Sequence, residues 1–197
     1  MKRSRPRARG SLRIVGGAYR GRRLVVLNQD GLRPTSDRVR ETLFNWLAPV
    51  VEGARCLDLF AGSGALGFEA ASRGAGEVVM VERSEPVIRI LRENIQVMGA
   101  HGINLVQADA VCWLMEGGRP FDIVFLDPPF SDDLLAQSFA MLAANGWLSP
   151  NARLYVEAPL SRGFPGLPLD WRLVRDKRAG QVRYGLVETA GELWESD

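Results

Sequence analysis

Asp127-Pro128-Pro129-Phe130 is the stretch of this chain best equipped for chemistry. It follows the apolar run FDIVFL, which reads as a strand. Two consecutive prolines remove two N–H donors and hold the backbone extended. The neighbouring carbonyls then point outward as acceptors. Asp127 adds a carboxylate and Phe130 a π-face. Together they suit an amino group on a planar base. The carboxylate and a proline carbonyl accept its two hydrogens, and the ring stacks on the base. The plainer alternative is a stiff turn ending a strand, with Phe130 packed in the core.

A second motif, Gly62-Ser63-Gly64-Ala65-Leu66-Gly67, has the spacing G-x-G-x-x-G between an apolar run and a helix-like run. Glu82 lies twenty positions beyond Gly62, which completes the dinucleotide fingerprint. Glycines let the chain reverse sharply and let a ligand approach the backbone. The helix that follows offers free N–H groups. Asp58, just before the loop, would sit poorly beside a pyrophosphate but well beside an ammonium group. S-adenosylmethionine carries an amino-acid end and a sulfonium, and no phosphate. Glu82 ends the next strand and can accept both ribose hydroxyls. Asp109 follows the third strand and can bond an adenine amine. All three acids fall at strand C-termini, where open α/β sheets bind ligands. The alternative is glycine-assisted helix–sheet packing with solvated acids.

The elements that must position these groups alternate from Arg55 onward. RCLDLF, EVVMVE, INLVQAD, FDIVFLD and RLYVEAP read as strands. ALGFEAASR, SEPVIRILRENIQVMG, AVCWLMEGG and DLLAQSFAMLAANG read as the helices between them. Ser84 is the N-cap candidate of the second of these, with Pro86 in its first turn and Gly99 near its stop. Such alternation implies a mostly parallel sheet covered on both faces. WRLVRDKRAGQVRYGLVE reads as two strands about a Lys-Arg-Ala-Gly turn, an antiparallel edge. Upstream, LRIVGG and RRLVVLN make a basic hairpin, and GLRPTS a loop. A helix then starts near Ser36 or Asp37, with Val39, Leu43 and Leu47 on one face and Phe44 and Trp46 widening it. The expected organisation is a disordered basic tail over 1–11, a hairpin and loop over 12–34, and one α/β domain over 35–197.

Charge is distributed unevenly. Residues 1–40 hold twelve Lys/Arg against Asp30 and Asp37, while the rest of the chain has a balance of −8. Arginines run on through Arg13, Arg20, Arg22, Arg23, Arg33, Arg38 and Arg40, inside folded-looking sequence. This points to a nucleic-acid partner rather than a merely solubilising tail. A lone histidine, His101, and two cysteines without a CxxC argue against zinc and against a disulfide framework. No metal is expected, and a reducing cytoplasm fits. No apolar run reaches membrane-spanning length, and no apolar h-region follows the basic start. His101 reads as a surface residue. Trp113, Trp147 and Trp171 read as packing residues, Tyr184 as ambiguous, and both cysteines as lying in core-like segments.

DLFAGSGALGFEA, VERSEP, QADA and DPPF resemble motifs of S-adenosylmethionine-dependent amino-methyltransferases. RIVGG-YRGR-L, GLRPTSDRVRETLFNWL, CLDLFAGSGALGFEA, IVFLDPPF, NGWL, YVE and AGQVRYGL more closely resemble the RsmD family, from about Leu12 to Val187. That family methylates guanine N2 in 16S ribosomal RNA of the bacterial small subunit, at guanine 966. The resemblance implies a Rossmann-like class I fold: a seven-stranded, mostly parallel sheet with an antiparallel C-terminal edge, plus a small N-terminal β-hairpin for RNA. It implies that the loop and helix from Arg33 to Trp46 close over the cofactor. The Arg-rich extension before Leu12 departs from the family core.

On this reading the loop Asp58, Phe60, Ala61, Gly62, Ser63 and Gly64 cradles the methionine end. Glu82, with Arg83 beside it, takes the ribose, and Asp109, with Ala110, the adenine. Thr35 and Arg38 reach the cofactor carboxylate; for Arg38, an RNA phosphate or a pair with Glu41 stands equally open. Asp127 with a Pro128 or Pro129 carbonyl orients the amine, and Phe130 holds the base. The surplus proton goes to Asp127 or to water. Arg13, Arg20, Arg22, Arg23 and Arg33 hold the RNA backbone. The expected partner is 16S RNA, the small subunit or an assembly intermediate, with the protein acting as a monomer. Three alternatives stay open: an adenine-N6 methyltransferase on DNA or RNA, a protein-glutamine methyltransferase, and a non-catalytic RNA-binding assembly factor.

Overall fold

A computed structural model describes residues 9–27, 35–129 and 133–191. The N-terminal hairpin pairs β1 (Arg9–Arg13) with β2 (Arg23–Leu27). Then come α1 (Asp37–Leu47), β3 (Arg55–Asp58), α2 (Ala65–Ser72), β4 (Glu77–Glu82), α3 (Glu85–Met98) and β5 (Ile103–Gln107). The chain continues through α4 (Ala110–Leu114), β6 (Phe121–Leu126), α5 (Leu134–Ala144), β7 (Leu148–Pro159), β8 (Trp171–Ala179) and β9 (Val182–Thr189).

The seven-stranded sheet has the order β5-β4-β3-β6-β7-β9-β8. Pairings from β5 to β7 are parallel, and β9 runs antiparallel between β7 and β8. The strand order reverses between β3 and β6, so the crevice for a ligand lies beyond their C-terminal ends.

Burial on both faces explains the strands' nearly continuous apolar runs. Cys56, Val78, Met80, Ile123, Phe125 and Tyr155 join one core layer with residues of α1, α2 and α3. Their neighbours Leu57, Val79, Val81, Val124, Leu126, Leu154 and Val156 join the other, with residues of α4 and α5. Side chains alternate across a strand. Asp58, Asp127 and Glu157 therefore fall in register with Cys56, Phe125 and Tyr155, on the α1 side.

Helix α1 starts where the capping residue places it, with Ser36 accepting from Val39 N at 3.3 Å. Its stripe Val39, Leu43, Phe44 and Leu47 is buried. The Phe44 ring meets Phe125 at 5.8 Å, and Trp46 stacks on Tyr184 at 5.8 Å. These contacts lay α1 across the sheet and bring its N-terminus to the ends of β6 and β7.

Two boundaries and the burial of one residue differ from the sequence reading. The tail expected to run to residue 11 gives way to strand at Arg9, because Arg9, Gly10 and Ser11 pair with Leu27, Val26 and Val25. Residues 1–8 lie outside the described residues. The C-terminal turn falls on Gly180 and Gln181, since β8 keeps pairing through Ala179 and only Gly180, at φ 58°, permits the reversal. Cys112 is exposed rather than core-like, on the outer side of the short α4. Cys56 is buried, and burial pushes its thiol up to about 12, so it is inert.

The hairpin is docked on the domain. Asn94 of α3 donates to Val25 O and accepts from Val25 N, at 2.8 and 3.0 Å. Between the hairpin strands, Val15 N and Gly16 N donate to the buried Glu69 carboxylate at 2.9 and 2.8 Å. Gly17 has φ 75°, and a Cβ there would lie 1.8 Å from Ser72 O. Only glycine lets this loop sit so close to the end of α2.

Candidate active site

Asp58 and Glu82 end β3 and β4, and Asp109 follows the end of β5 as the N-cap of α4. Asp58 closes β3 and is only 3% exposed; its Oδ2 accepts from Gly67 N at 3.0 Å. Burial and the nearby Glu82 raise its acid while the Gly67 bond lowers it, leaving it at about 7. Gly67 is tight for this reason: a Cβ there would lie 2.4 Å from Met80 Cε and 3.2 Å from Asp58 Oδ2. The third glycine of the motif thus serves helix–sheet packing, and the first two make the turn, with φ 49° at Gly62 and 75° at Gly64. Gly64 N closes that turn on Ala61 O at 2.7 Å, and Ala61 N is tied to Val81 O.

Glu82 closes β4 and braces both flanking segments. Its Oε2 accepts from Gly62 N at 3.1 Å and its Oε1 from Ser84 N at 2.7 Å. Ser84 is the N-cap residue of α3, but its side chain makes no cap bond. Asp109 caps α4, its Oδ1 accepting from Val111 N and Cys112 N. Its other oxygen has no partner among the described residues. Phe60 and Ser63 are partly buried, Ala61 is buried, Arg83 is exposed and Ala110 lies behind Asp109.

At the switch point, Asp127 follows β6. Thr35, 8% exposed and just before the α1 cap, places its hydroxyl 3.3 Å from Asp127 Oδ2 and 3.1 Å from Glu157 Oε1. Tyr155 donates to the same Glu157 oxygen at 2.5 Å. Burial holds the Asp127 acid well above the usual carboxylate range, the charges of Glu157 and Asp58 push it further, and the Thr35 bond opposes them. Glu157 is also raised by burial, against its bonds from Tyr155 and Thr35. Pro128 is buried and Pro129 exposed beside them. Phe130 lies outside the described residues.

Glu157 and Tyr155 received no role from the sequence. The signal was available, because Glu157 is another acid near the C-terminal end of a parallel strand. Thr35, expected at the cofactor carboxylate, lies against Asp127 and Glu157.

The basic surface is narrower than the count of arginines suggests. Arg13, Arg20, Arg22 and Arg23 are exposed on or beside the hairpin. Arg22 donates to Met98 O at 2.7 Å, Arg23 to Ser11 Oγ at 3.0 Å, and Arg13 lies 3.4 Å from Asp37. Arg33 lies outside the described residues. Arg38 is exposed and makes no ion pair with a described residue, so the pair with Glu41 is not formed. Arg40 is fully buried, donating to Arg13 O and Asp37 and lying 3.6 Å from Glu69. It fastens α1 to the hairpin and α2 and is no cation for a polyanion. Edge strand β8 adds exposed Arg172, Arg175, Lys177 and Arg178.

His101 is exposed, as expected. Trp147, Trp171 and Tyr184 are buried, and Trp113 packs on Trp147 at 4.4 Å. No described helix is long and apolar enough to cross a membrane. No group of three His, Cys, Asp or Glu among the described residues could hold a metal ion.

A family model described as conserved hypothetical protein 95 matches residues 12–188. The ribosomal RNA small subunit methyltransferase D of Escherichia coli K12 is 47% identical over 95% of each chain. A solved structure of the putative methyltransferase yhhF from Escherichia coli superposes with a TM-score of 0.87 at 46% identity, covering 92% of this chain and 99% of that one. The Thermus thermophilus 16S rRNA N2 G1207 methyltransferase RsmC, solved with AdoMet and guanosine, matches at a TM-score of 0.68 and 25% identity, over 93% of this chain and 50% of that one.

Proposed function

The chain belongs to the RsmD family, and on that footing we propose that it methylates the exocyclic N2 of a guanine in 16S ribosomal RNA. The arrangement that carries this reading is Asp127, met by the Thr35 hydroxyl at the switch point and followed by two prolines with no N–H to offer. A base amine presented there finds a carboxylate and proline carbonyls in place of backbone N–H groups.

The crevice suits S-adenosylmethionine on its donor set. Asp58 and Glu82 end β3 and β4 and Asp109 follows β5, beside a turn with positive φ at Gly62 and Gly64. Such a set repels phosphate and accepts from hydroxyl, amine and ammonium groups. Asp58 would lend charge to the ammonium end from beneath the loop. Glu82 would take the ribose on the lone pairs its two backbone bonds leave, and Asp109 the adenine amine on its unpartnered oxygen. When bound, S-adenosylmethionine supplies an electrophilic methyl group on a sulfonium.

This chain's residues do the rest. The guanine N2 lone pair is delocalised into the ring, so the amine is a poor nucleophile. Asp127 and a proline carbonyl accept its hydrogens and turn the lone pair toward the methyl group. Positioning of this kind supplies several kcal/mol. The site that raises Asp127 also makes it a stronger base than an ordinary carboxylate. Asp127 thus holds the amine proton as it becomes acidic, and passes it on to water. N2 of a paired guanine lies in the minor groove, so the base must leave its stack or come from a loop. Arg13, Arg20 and Arg23 hold the RNA backbone. The protein acts as a monomer in the cytoplasm, on the small subunit or an intermediate of its assembly.

The test is transfer of a labelled methyl group from S-adenosylmethionine to unmodified small subunits, their free RNA, double-stranded DNA and a protein extract. Products are then digested to nucleosides. N2-methylguanosine from subunits or their RNA is expected. N6-methyladenine would overturn the base, and no transfer with cofactor bound would overturn the reaction.

A further inference from the structure

Beside Asp127, beyond the ends of β6 and β7, lies a cavity of about 160 Å³. Pro128 and Pro129 form one wall; Glu157, Arg162 and Phe164 line the others. The Phe164 ring is held from outside by Arg183, whose guanidinium lies 4.5 Å from the ring centre and is itself fixed by Asp176. The prolines and Phe164 therefore give the cavity stiff apolar walls; Arg162 and the exposed Asp133 also line it, and Glu157 is its buried carboxylate. That carboxylate is oriented. Tyr155 donates to Glu157 Oε1, and the Thr35 hydroxyl, whose one hydrogen is shared between Asp127 and Glu157, lies 3.1 Å from the same oxygen. Oε2 has no hydrogen-bond partner among the described residues, yet it is not among the side-chain atoms sealed without one. Glu157, only 6% exposed, lines the cavity, and of its two oxygens Oε1 is already engaged.

Recognition of an exocyclic amine by Asp127 and a proline carbonyl does not separate guanine from adenine. The neighbouring ring atom does. Guanine carries a hydrogen on N1, adjacent to its N2 amine. Adenine presents a lone pair at N1, which a carboxylate repels. We propose that Glu157 is the residue that selects guanine, with its free Oε2 accepting the N1–H of the target base in this cavity. This rests on the guanine reading above. The Tyr155 and Thr35 bonds serve it twice: they aim the carboxylate, and they favour its ionised, accepting form against burial. Sites built to bond a polar substrate group reject analogues lacking it by roughly 10⁴-fold or more.

The experiment uses the full chain and an RNA substrate bearing guanine or 2-aminopurine at the methylated position. 2-Aminopurine keeps the 2-amino group and has no hydrogen on N1. The wild-type protein should methylate guanine at least about 100-fold faster. Glu157→Gln should lose most activity on guanine but narrow the preference to a few-fold, because an amide can donate to N1. Its affinity for S-adenosylmethionine should stay unchanged, which monitors the fold. Wild-type use of 2-aminopurine within a few-fold of guanine would overturn the proposal and leave the reaction standing. Equal losses on both bases in Glu157→Gln would do the same. A wild-type protein that methylates neither base would overturn the reaction itself.

Discussion

Thr35 and Asp127 meet at 3.3 Å, hydroxyl to carboxylate, although 92 residues separate them in the chain. The contact stabilises the ionised form of Asp127, which burial, Glu157 and Asp58 all disfavour. The ionised form holds the amine more strongly than the neutral acid and is the form that can take its proton. Turnover should therefore rise with pH through the elevated Asp127 pKa. Thr35→Val removes the one opposing bond, so the acid limb should move to higher pH. At pH 7 turnover should fall roughly three- to tenfold. The check is kcat against pH for both proteins. A limb that stays in place would leave Thr35 a packing residue.

Asp127→Ala removes the acceptor but none of the groups that line the cofactor crevice. Turnover should fall by at least about 100-fold, with the affinity for S-adenosylmethionine nearly unchanged. Single-turnover kinetics beside equilibrium binding separates the two. Activity within a few-fold of wild type would show that the amine is oriented elsewhere.

Asp58 gives a stability prediction with a definite sign. Its acid stands at about 7 in the folded protein against a usual 3.8. Between those values the folded state binds more protons than the unfolded state. Stability from this group is present at low pH and is lost as pH rises from about 4 to about 7. Asp58→Asn keeps an oxygen for Gly67 N and removes the titration. Its melting temperature should exceed that of the wild type at pH 8 and depend less on pH between 5 and 8.

Gly17→Ala places a methyl group against Ser72 O, in a backbone conformation that side chains rarely adopt. The loop must lift from α2. A loss of about 1–3 kcal/mol is expected, read as a lower denaturation midpoint. RNA affinity should fall further than cofactor affinity, since the hairpin and not the crevice is displaced.

The hairpin arginines divide into two kinds. Arg20→Ala and Arg23→Ala should each weaken RNA binding and lower the salt slope by about one. Arg40→Met should leave the slope unchanged and alter stability alone, because Arg40 is buried against Glu69. Binding isotherms at several salt concentrations decide it. A slope change in Arg40→Met would contradict its burial.

Much of this fold is written in periodicity. The alternation of apolar strands with amphipathic helices gives the parallel sheet, and the acids at strand ends give the crevice. Asp58, Glu82, Asp109 and Asp127 are legible because each ends an apolar run. Thr35 is harder to place, because its partners are distant in sequence and α1 must dock before they meet. Glu69 carries no such signal: it lies within α2, and only the docked hairpin loop makes it a buried anchor. Arg40 was misread for a related reason: counting charge along a chain does not say which cations are turned inward.

The position of β9 ties the far end of the sheet to the chemistry. It is an interior strand, pairing with β7 along Arg153–Pro159 on one side and with β8 on the other. Its Tyr184 is opposite Glu157 and underlies Trp46 of α1. Lifting β9 away would open the edge of β7 and take part of the floor from α1, the helix that follows Thr35. Fraying at this edge of the sheet therefore reaches Thr35, Asp127 and Glu157.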